Sequence, residues 1–192
     1  WECRGMTDRY PPIPEADWTD EQRIAAAAIL AGPRGAVVGP FVPLLRSPEL
    51  MDRVQEVGAY LRYRSAIGRR LTELAVLATA RHWDQPVEWA IHAPIAIAES
   101  IAEAHVAAIG AGEAPAFARE DERVVHAAAV EVLATRRLSD ATHGAALALL
   151  GERGVIDLLG IVGYYSLLSV VMNGAATDAP AHDGPPLLPL PR

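Results

Sequence analysis

The chain has 192 residues, of which 51% are hydrophobic and only 6% aromatic, and it carries a formal net charge of −7. A chain of this length is expected to form one domain with a sizeable core. The acidic balance argues against nucleic-acid binding and against attraction to anionic membranes, so we expect neither as a partner.

All 17 basic residues are arginines. Arginine suits bidentate recognition of carboxylates, but a GC-rich coding bias produces the same composition. Cys3 is the single cysteine, which excludes an intramolecular disulfide, a CxxC redox pair and a thiolate zinc site within this sequence. One cysteine and no signal-peptide pattern predict a cytoplasmic protein. We expect residues 1–5 to be an extension upstream of Met6 and Cys3 to have no part in function.

The first part of the chain is divided by prolines and glycines. Residues 1–18 are predicted to be an extended N-terminal segment. A Thr-x-x-Gln capping box then opens a helix over 19–30. Residues 32–40 contain several glycines and prolines and are predicted to form a loop. A Ser-Pro pair, typical of a helix start, opens a second helix over 47–63.

The middle of the chain predicts two helices joined by a short turn. The first covers 69–82, and Asp84-Gln85-Pro86 forms the turn. The second continues at helical spacing to Ile109. Pro94 is expected to kink or offset this helix, because its ring removes a backbone donor.

Three further helices, over 119–135, 140–152 and 155–173, complete an all-α domain over residues 19–174. The long apolar run of the last helix contains Asp157 and two glycines, so we predict a core or interface helix and not a membrane span. The Pro-rich tail, residues 175–192, cannot form a core. It is predicted to be disordered or to wrap a neighbour in extended form.

Glu88 and His92 are the residues with the clearest chemical potential, because the i,i+4 spacing places them on one helix face. Glu73, on the preceding helix, reaches the same place if the two helices are antiparallel neighbours. Such a Glu–His pair is either an ordinary structural pair or a proton relay, and spacing alone does not separate the two.

The residue order resembles the carboxymuconolactone decarboxylase family, which includes the alkyl hydroperoxidase D-like proteins. The segment RRLTELAVLATARHWDQPVEWAIHAPIAI has the central pattern, flanked by RSPELMDRVQEVGAYLRYRS and GERGVIDLLGIVGYYSLLSVVMN. In the peroxidase branch a Glu is followed by CxxC and, after three intervening residues, by His. This places Glu73 and His92 at the family's Glu and His, and Gln85 and Glu88 at the two cysteine positions.

The resemblance implies a compact multi-helix domain of the alkyl hydroperoxidase D-like type, which assembles as a homo-oligomer, often a trimer or hexamer. Peroxide reduction needs a nucleophilic thiolate, so Gln85 and Glu88 exclude the dithiol peroxidase activity. The decarboxylase branch uses no metal and no organic cofactor and moves protons on a lactone acid. We therefore expect acid–base chemistry, without a cofactor, on a small carboxylated lactone or carbonyl substrate.

In the expected mechanism His92 donates or accepts the proton. Glu88 sets the tautomer and charge of His92 or is the second acid–base group, and Glu73 either orients His92 or takes the proton in turn. Other side chains are candidates for substrate binding, although packing or surface roles are the simpler interpretation for each. The predicted substrate-binding residues are Arg46, Arg64, Trp89 and Tyr164, and weaker candidates are Arg62, Arg81 and Tyr165.

Two alternatives to this enzyme remain open, a non-catalytic ligand-binding or scaffold homologue and a regulator that acts through the Pro-rich tail. A metal site built from Glu73, Glu88 and His92 is a third interpretation of the same residues. It is not favoured, because helical carboxylate–histidine metal sites repeat a Glu-x-x-His pair on two helices and this chain has no second copy.

Overall fold

A computed structural model describes residues 8–32 and 34–189, and within them the fold is all-helical, as predicted. A 3₁₀ turn at Glu15–Asp17 precedes the helices. The helices of the described chain are α1 (Asp20–Ala31), α2 (Phe41–Leu44), α3 (Pro48–Arg64), α4 (Gly68–His82), α5 (Pro86–Ala98), α6 (Glu103–Gly110), α7 (Glu120–Thr135) and α8 (Asp140–Ala175).

The start of α1 confirms the predicted capping box. The Thr19 hydroxyl accepts a hydrogen bond from the Gln22 backbone, and the Gln22 side chain accepts one from the Thr19 backbone. At α3, Ser47 is the N-cap residue but its side chain makes no capping hydrogen bond. The short α2 directly follows the predicted loop, in a stretch for which the sequence predicted no helix. It forms because Phe41 and Leu44 are buried, which stabilises one turn after Pro40.

The central helix of the fold is α4, and it packs against α5, α7 and α8. Every residue from Leu71 to Arg81 is buried. A helix that is buried on all sides normally carries apolar side chains, so the buried glutamate within it, Glu73, needs polar partners.

The sequence predicted one helix from the Gln85 turn to Ile109. This prediction was wrong, because the structure has two helices there, α5 and α6. Pro94 lies inside α5, which continues past it to Ala98. The chain then breaks at Ser100, whose φ of 72° lies in the left-handed region and cannot continue a right-handed helix. A new helix, α6, begins at Glu103.

The last helix, α8, contains the two helices predicted over 140–152 and 155–173. Gly151 separates them, with the non-helical angles φ 68° and ψ 173°. This helix is long and apolar enough to cross a membrane, with a mean hydropathy of 1.9 over its most apolar 18 residues. Of that stretch 56% is buried inside the protein, as in the core helices of many folds, so the feature is weak evidence for a span.

The described part of the Pro-rich tail lies in extended form on its own chain. The Leu188 backbone donates a hydrogen bond to the Gly110 carbonyl, and the Trp89 indole donates one to the Pro185 carbonyl. Arg81 donates hydrogen bonds to the carbonyls of both Gly110 and Leu188. The tail therefore covers the junction of α4, α5 and α6.

Candidate functional site

The structure brings Glu73, Glu88 and His92 together as one buried group. His92 Nδ1 lies 2.5 Å from Glu73 Oε2, and His92 Nε2 lies 3.2 Å from Glu88 Oε2. The contact to Glu73 arises from the packing of α4 against α5, and the contact to Glu88 from the i,i+4 spacing on α5. The imidazole is therefore held between two carboxylates, one on each ring nitrogen.

The environment of His92 favours its charged form. The three side chains are between 1% and 3% exposed. Burial by itself lowers the pKa of His92, but the charges and hydrogen bonds of Glu73 and Glu88 outweigh it and raise that pKa to about 9. When protonated, the ring donates a hydrogen bond from Nδ1 to Glu73 and forms an ion pair with Glu88 through Nε2.

Arg62, from α3, adds a second positive charge behind this group. Its Nε lies 4.0 Å from Glu73 Oε1, the carboxylate oxygen that faces away from His92. Glu73 thus lies between two cations, which makes burial of its negative charge tolerable.

A cavity of about 190 Å³ opens beside His92 and Glu88, whereas Glu73 lies behind them and does not line it. Helices α2, α3, α5 and α8 and the loop before α2 form its walls. Its ionisable lining residues are Arg34, Arg62, Glu88, His92, Tyr63, Tyr164 and Tyr165. The apolar wall includes Phe41, Ile91 and Leu168.

Several polar atoms at this cavity are buried without a hydrogen-bond partner among the described residues. They are Glu88 Oε1, Tyr164 Oη and Arg62 Nε. Nearly all buried polar groups in folded proteins are paired, and those that are not often mark a functional site.

Two tyrosines from α8 complete the wall. The Tyr165 ring meets the His92 ring edge-on, with centroids 5.1 Å apart, and so fixes the plane of the imidazole. Burial raises the pKa of both Tyr164 and Tyr165 well above the usual value, so both hydroxyls stay protonated at neutral pH. The free Tyr164 hydroxyl is therefore available as a hydrogen-bond donor.

Of the four side chains predicted to bind substrate, only Tyr164 lines the cavity. Arg46 donates hydrogen bonds to the carbonyls of Tyr10, Pro11 and Val42, and so fixes the N-terminal segment. Arg64 is exposed, with its guanidinium 5.6 Å from the centre of the Tyr60 ring. Trp89 is fully buried and holds the tail.

Sequence reasoning missed Arg34, which lies in the glycine-rich loop before α2 and lines the cavity. No local pattern marks it, because the loop reaches the site through packing that the sequence does not display. Arg62 also lines the cavity, although its sequence context does not distinguish it from the neighbouring arginines.

Among the described residues no group of three or more His, Cys, Asp or Glu is arranged to hold a metal ion. The physical reason at the Glu73–His92–Glu88 group is that each ring nitrogen faces its own carboxylate, on opposite sides of the imidazole. The three side chains do not converge on one point. The other described histidines lie outside this group, and His126, for example, has its pKa lowered to about 4 by burial.

Comparison of the chain with protein-family models, with curated proteins and with solved structures gave no match. The geometry of the site combines a buried proton-carrying group, a cavity beside it and unpaired polar atoms facing the cavity.

Proposed function

We propose that the protein is a cofactor-independent acid–base enzyme of the carboxymuconolactone decarboxylase-like type, a lyase or isomerase acting on a small carboxylated lactone or carbonyl substrate. The observation that carries the proposal is the buried Glu73–His92–Glu88 group, of which His92 and Glu88 line a cavity and Glu88 Oε1 has no hydrogen-bond partner among the described residues. An imidazolium between two carboxylates holds one proton that it can give to a substrate or take back. The cavity beside it has room for a reacting molecule.

The three residues have different roles in this proposal. Glu88 Oε1 is the base that accepts a proton from a carbon next to a carbonyl. His92, through Nε2, compensates the charge of Glu88 and returns a proton to the carbon. Glu73 is a positioning residue, because it does not line the cavity and acts only through Nδ1 of His92.

A decarboxylation balances with the same groups. The bond between the carboxylate and the ring carbon breaks and carbon dioxide leaves with no charge. The electron pair stays on the substrate as an enolate, one proton from the His92–Glu88 pair then adds to carbon, and the pair regains a proton from water before the next turnover. An isomerisation removes a proton from one carbon and returns it to another, with no net change.

Dithiol peroxide reduction is not part of the proposal. The side chain of Gln85 has a structural role. Its oxygen accepts a hydrogen bond from the Val87 backbone and caps α5, and its amide nitrogen donates a hydrogen bond to the Asn173 side chain on α8. Glu88 aligns with the second cysteine of the CxxC motif in the peroxidase branch. In this chain it belongs to the Glu73–His92–Glu88 group.

A homo-oligomer, such as a trimer or hexamer, is part of the same proposal. The α8 residues Ile156, Leu167 and Val170 are between 40% and 67% exposed, and Gly160 and Gly163 lie between them on the same helix face. We call this set the α8 stripe. Apolar surface on one face of a long helix is usually covered by a partner, and a second copy of the chain supplies a matching stripe.

The proposal is tested by proton exchange in heavy water. Small unsaturated lactone acids and oxo acids are incubated with the protein, and NMR follows deuterium entering at carbon and carbon dioxide loss. We expect Glu88→Gln and His92→Gln to lower the rate by about a hundredfold to ten-thousandfold.

The matched control uses the other contact between a histidine and a buried glutamate, His105 and Glu122, whose atoms are 3.4 Å apart away from the cavity. His105→Gln is expected to retain the wild-type rate. Circular dichroism establishes that each variant is folded. Wild-type rates in both Glu88→Gln and His92→Gln contradict the proposal.

A further inference from the structure

The unpaired atoms at the cavity are of two kinds, and together they define the polarity of a ligand. Tyr164 Oη and Arg62 Nε are donors, whereas Glu88 Oε1 in its ionised form is only an acceptor. None of the three has a hydrogen-bond partner in the part of the chain that the structure describes. Arg62 Nε faces Glu73 Oε1, so a ligand that pairs with the other two atoms needs an acceptor group at the Tyr164 end and a proton-bearing group at the Glu88 end.

Arg34 lies at the donor end and is held there by several contacts. Its guanidinium lies 4.9 Å from the centre of the Phe41 ring, and its Nη1 donates to the Gln55 carbonyl at 3.4 Å. Its Nη2 and the Tyr164 hydroxyl meet over Gly58 of α3. A Cβ on Gly58 would overlap the Tyr164 hydroxyl and lie 2.7 Å from Arg34 Nη2, so a glycine is needed here for the two groups to come together.

The charges at the site leave one positive charge unbalanced. Among the described residues, the charged side chains that line the cavity are Arg34, Arg62, His92 and Glu88, with Glu73 directly behind His92. With His92 protonated, three cations face two carboxylates. A ligand with one negative charge makes the site neutral, whereas a dianion leaves an uncompensated negative charge in a largely buried place, which is costly.

The size of the cavity restricts the ligand further. Its volume is about 190 Å³, and an apolar cavity of about 150 Å³ is known to hold benzene. A flat acid on the order of seven to nine non-hydrogen atoms is therefore the scale of molecule that the cavity accepts. The ring of such an acid packs against the apolar wall formed by Phe41, Ile91 and Leu168.

We propose that Arg34, Arg62 and Tyr164 form a subsite for a single carboxylate, and that the cavity selects a compact monoanionic acid whose proton-bearing end lies against Glu88. The inference rests on the isomerase form of the proposed function, because a single carboxylate held by Arg34 and Tyr164 is retained while Glu88 exchanges a proton at the other end of the substrate. A guanidinium pair with a phenol donor recognises a carboxylate through charge-assisted hydrogen bonds.

The test measures binding at neutral pH by titration calorimetry with three furan probes. Furancarboxylate is the monoanion, furancarboxamide is a neutral molecule of the same size, and furandicarboxylate is the dianion. We expect the monoanion to bind at least about tenfold more tightly than either of the others, since a charge-assisted pair is stronger than a neutral one.

Variants identify the subsite. Arg34→Gln and Tyr164→Phe are each expected to weaken furancarboxylate binding by about tenfold. Arg64→Gln is the matched control, because Arg64 lies on α3 two residues from Arg62 but is exposed and does not line the cavity. Both Arg34→Gln and Tyr164→Phe are measured, and circular dichroism checks that each is folded. If one of them misfolds, the other still tests the subsite.

Equal affinity for the carboxylate and the carboxamide overturns the inference, as does equal loss of affinity in Arg34→Gln and Arg64→Gln. Equal affinity for furandicarboxylate and furancarboxylate overturns the inference that the cavity selects a monoanion. The proposed function fails separately. If carboxylate binding depends on Arg34 but no proton exchange depends on Glu88, the result supports the carboxylate subsite and contradicts the proposed enzyme activity. Exchange on neutral lactones as fast as on lactone acids supports the enzyme and overturns the subsite.

Discussion

His92 and Glu73 are 19 residues apart in the chain and 2.5 Å apart in the fold, between Nδ1 and Oε2. The contact joins α4 to α5 inside the core, where both side chains are almost fully buried. Because Glu73 uses Nδ1, the other ring nitrogen of His92 faces Glu88 and the cavity. This one contact therefore fixes both the orientation of the imidazole and its charge.

The first prediction concerns the pH dependence of stability. The folded protein raises the pKa of His92 from about 6.5 to about 9, so the folded state binds this proton more tightly than the unfolded state does. The resulting stabilisation, on the order of 3 kcal/mol, is fully present below about pH 6.5 and is lost as the pH rises through about 9. Urea unfolding from pH 6 to pH 10 measures it, and His92→Asn removes the dependence.

The control for this prediction is His143→Gln, at an exposed histidine on α8. It is expected to keep the wild-type pH profile. A wild-type free energy of unfolding that does not change between pH 6.5 and pH 9 contradicts a stabilising imidazolium.

The second prediction separates positioning from direct contact with substrate. Glu73→Gln keeps the shape of the side chain but removes its charge, so the pKa of His92 is expected to fall, and NMR titration of the ring protons measures it. In the exchange assay the variant should lower kcat and leave the KM of an acid substrate nearly unchanged, because Glu73 does not line the cavity. A change confined to KM would argue that Glu73 contacts the substrate.

The third prediction concerns Gly58. Gly58→Ala places a methyl group against the Tyr164 hydroxyl and Arg34 Nη2, so we expect a loss of about 1–3 kcal/mol of stability from overpacking together with weaker furancarboxylate binding. Gly144→Ala, on α8 with no atom within 4 Å of the new methyl group, is the control. It is expected to be neutral or slightly stabilising. Unchanged binding in Gly58→Ala would contradict the close approach of Arg34 and Tyr164.

The fourth prediction concerns the docked tail. A Cβ at Gly110 would lie 2.5 Å from the Pro186 carbonyl oxygen and 2.8 Å from the Trp89 ring. Gly110→Ala should therefore release the tail, with loss of hydrogen-exchange protection at the Leu188 amide and faster proteolysis of residues 185–189. Gly174→Ala has open space around the new methyl group and serves as the control. Protection of Leu188 that survives in Gly110→Ala would show that the tail accommodates the methyl group.

The fifth prediction concerns assembly. Ile156→Glu places a charge in the α8 stripe and is expected to shift the protein to smaller species in light scattering coupled to size-exclusion chromatography. Ile24→Glu changes an equally exposed isoleucine on α1 and should leave the mass unchanged. A wild-type protein that is already monomeric at high concentration contradicts the proposed homo-oligomer.

The sequence by itself determined the features that depend on neighbouring residues. The capping box at Thr19, the Glu88–His92 pair and most helix ends follow from hydrogen bonds and spacing within a few positions of the chain. The break at Ser100 escaped prediction because nothing in its neighbourhood shows that the chain must turn there to place α6.

The tertiary structure decided which of the candidate side chains face the cavity. Arg62 lines it and Arg64 does not, because residues two apart on a helix point to nearly opposite sides and only packing fixes which side is inward. Arg34 and Gly58 belong to the site for a similar reason, since a loop and a helix distant in sequence meet at Tyr164. Local chemistry thus indicated the proton-carrying pair, and long-range packing determined the surroundings that give it a carboxylate subsite.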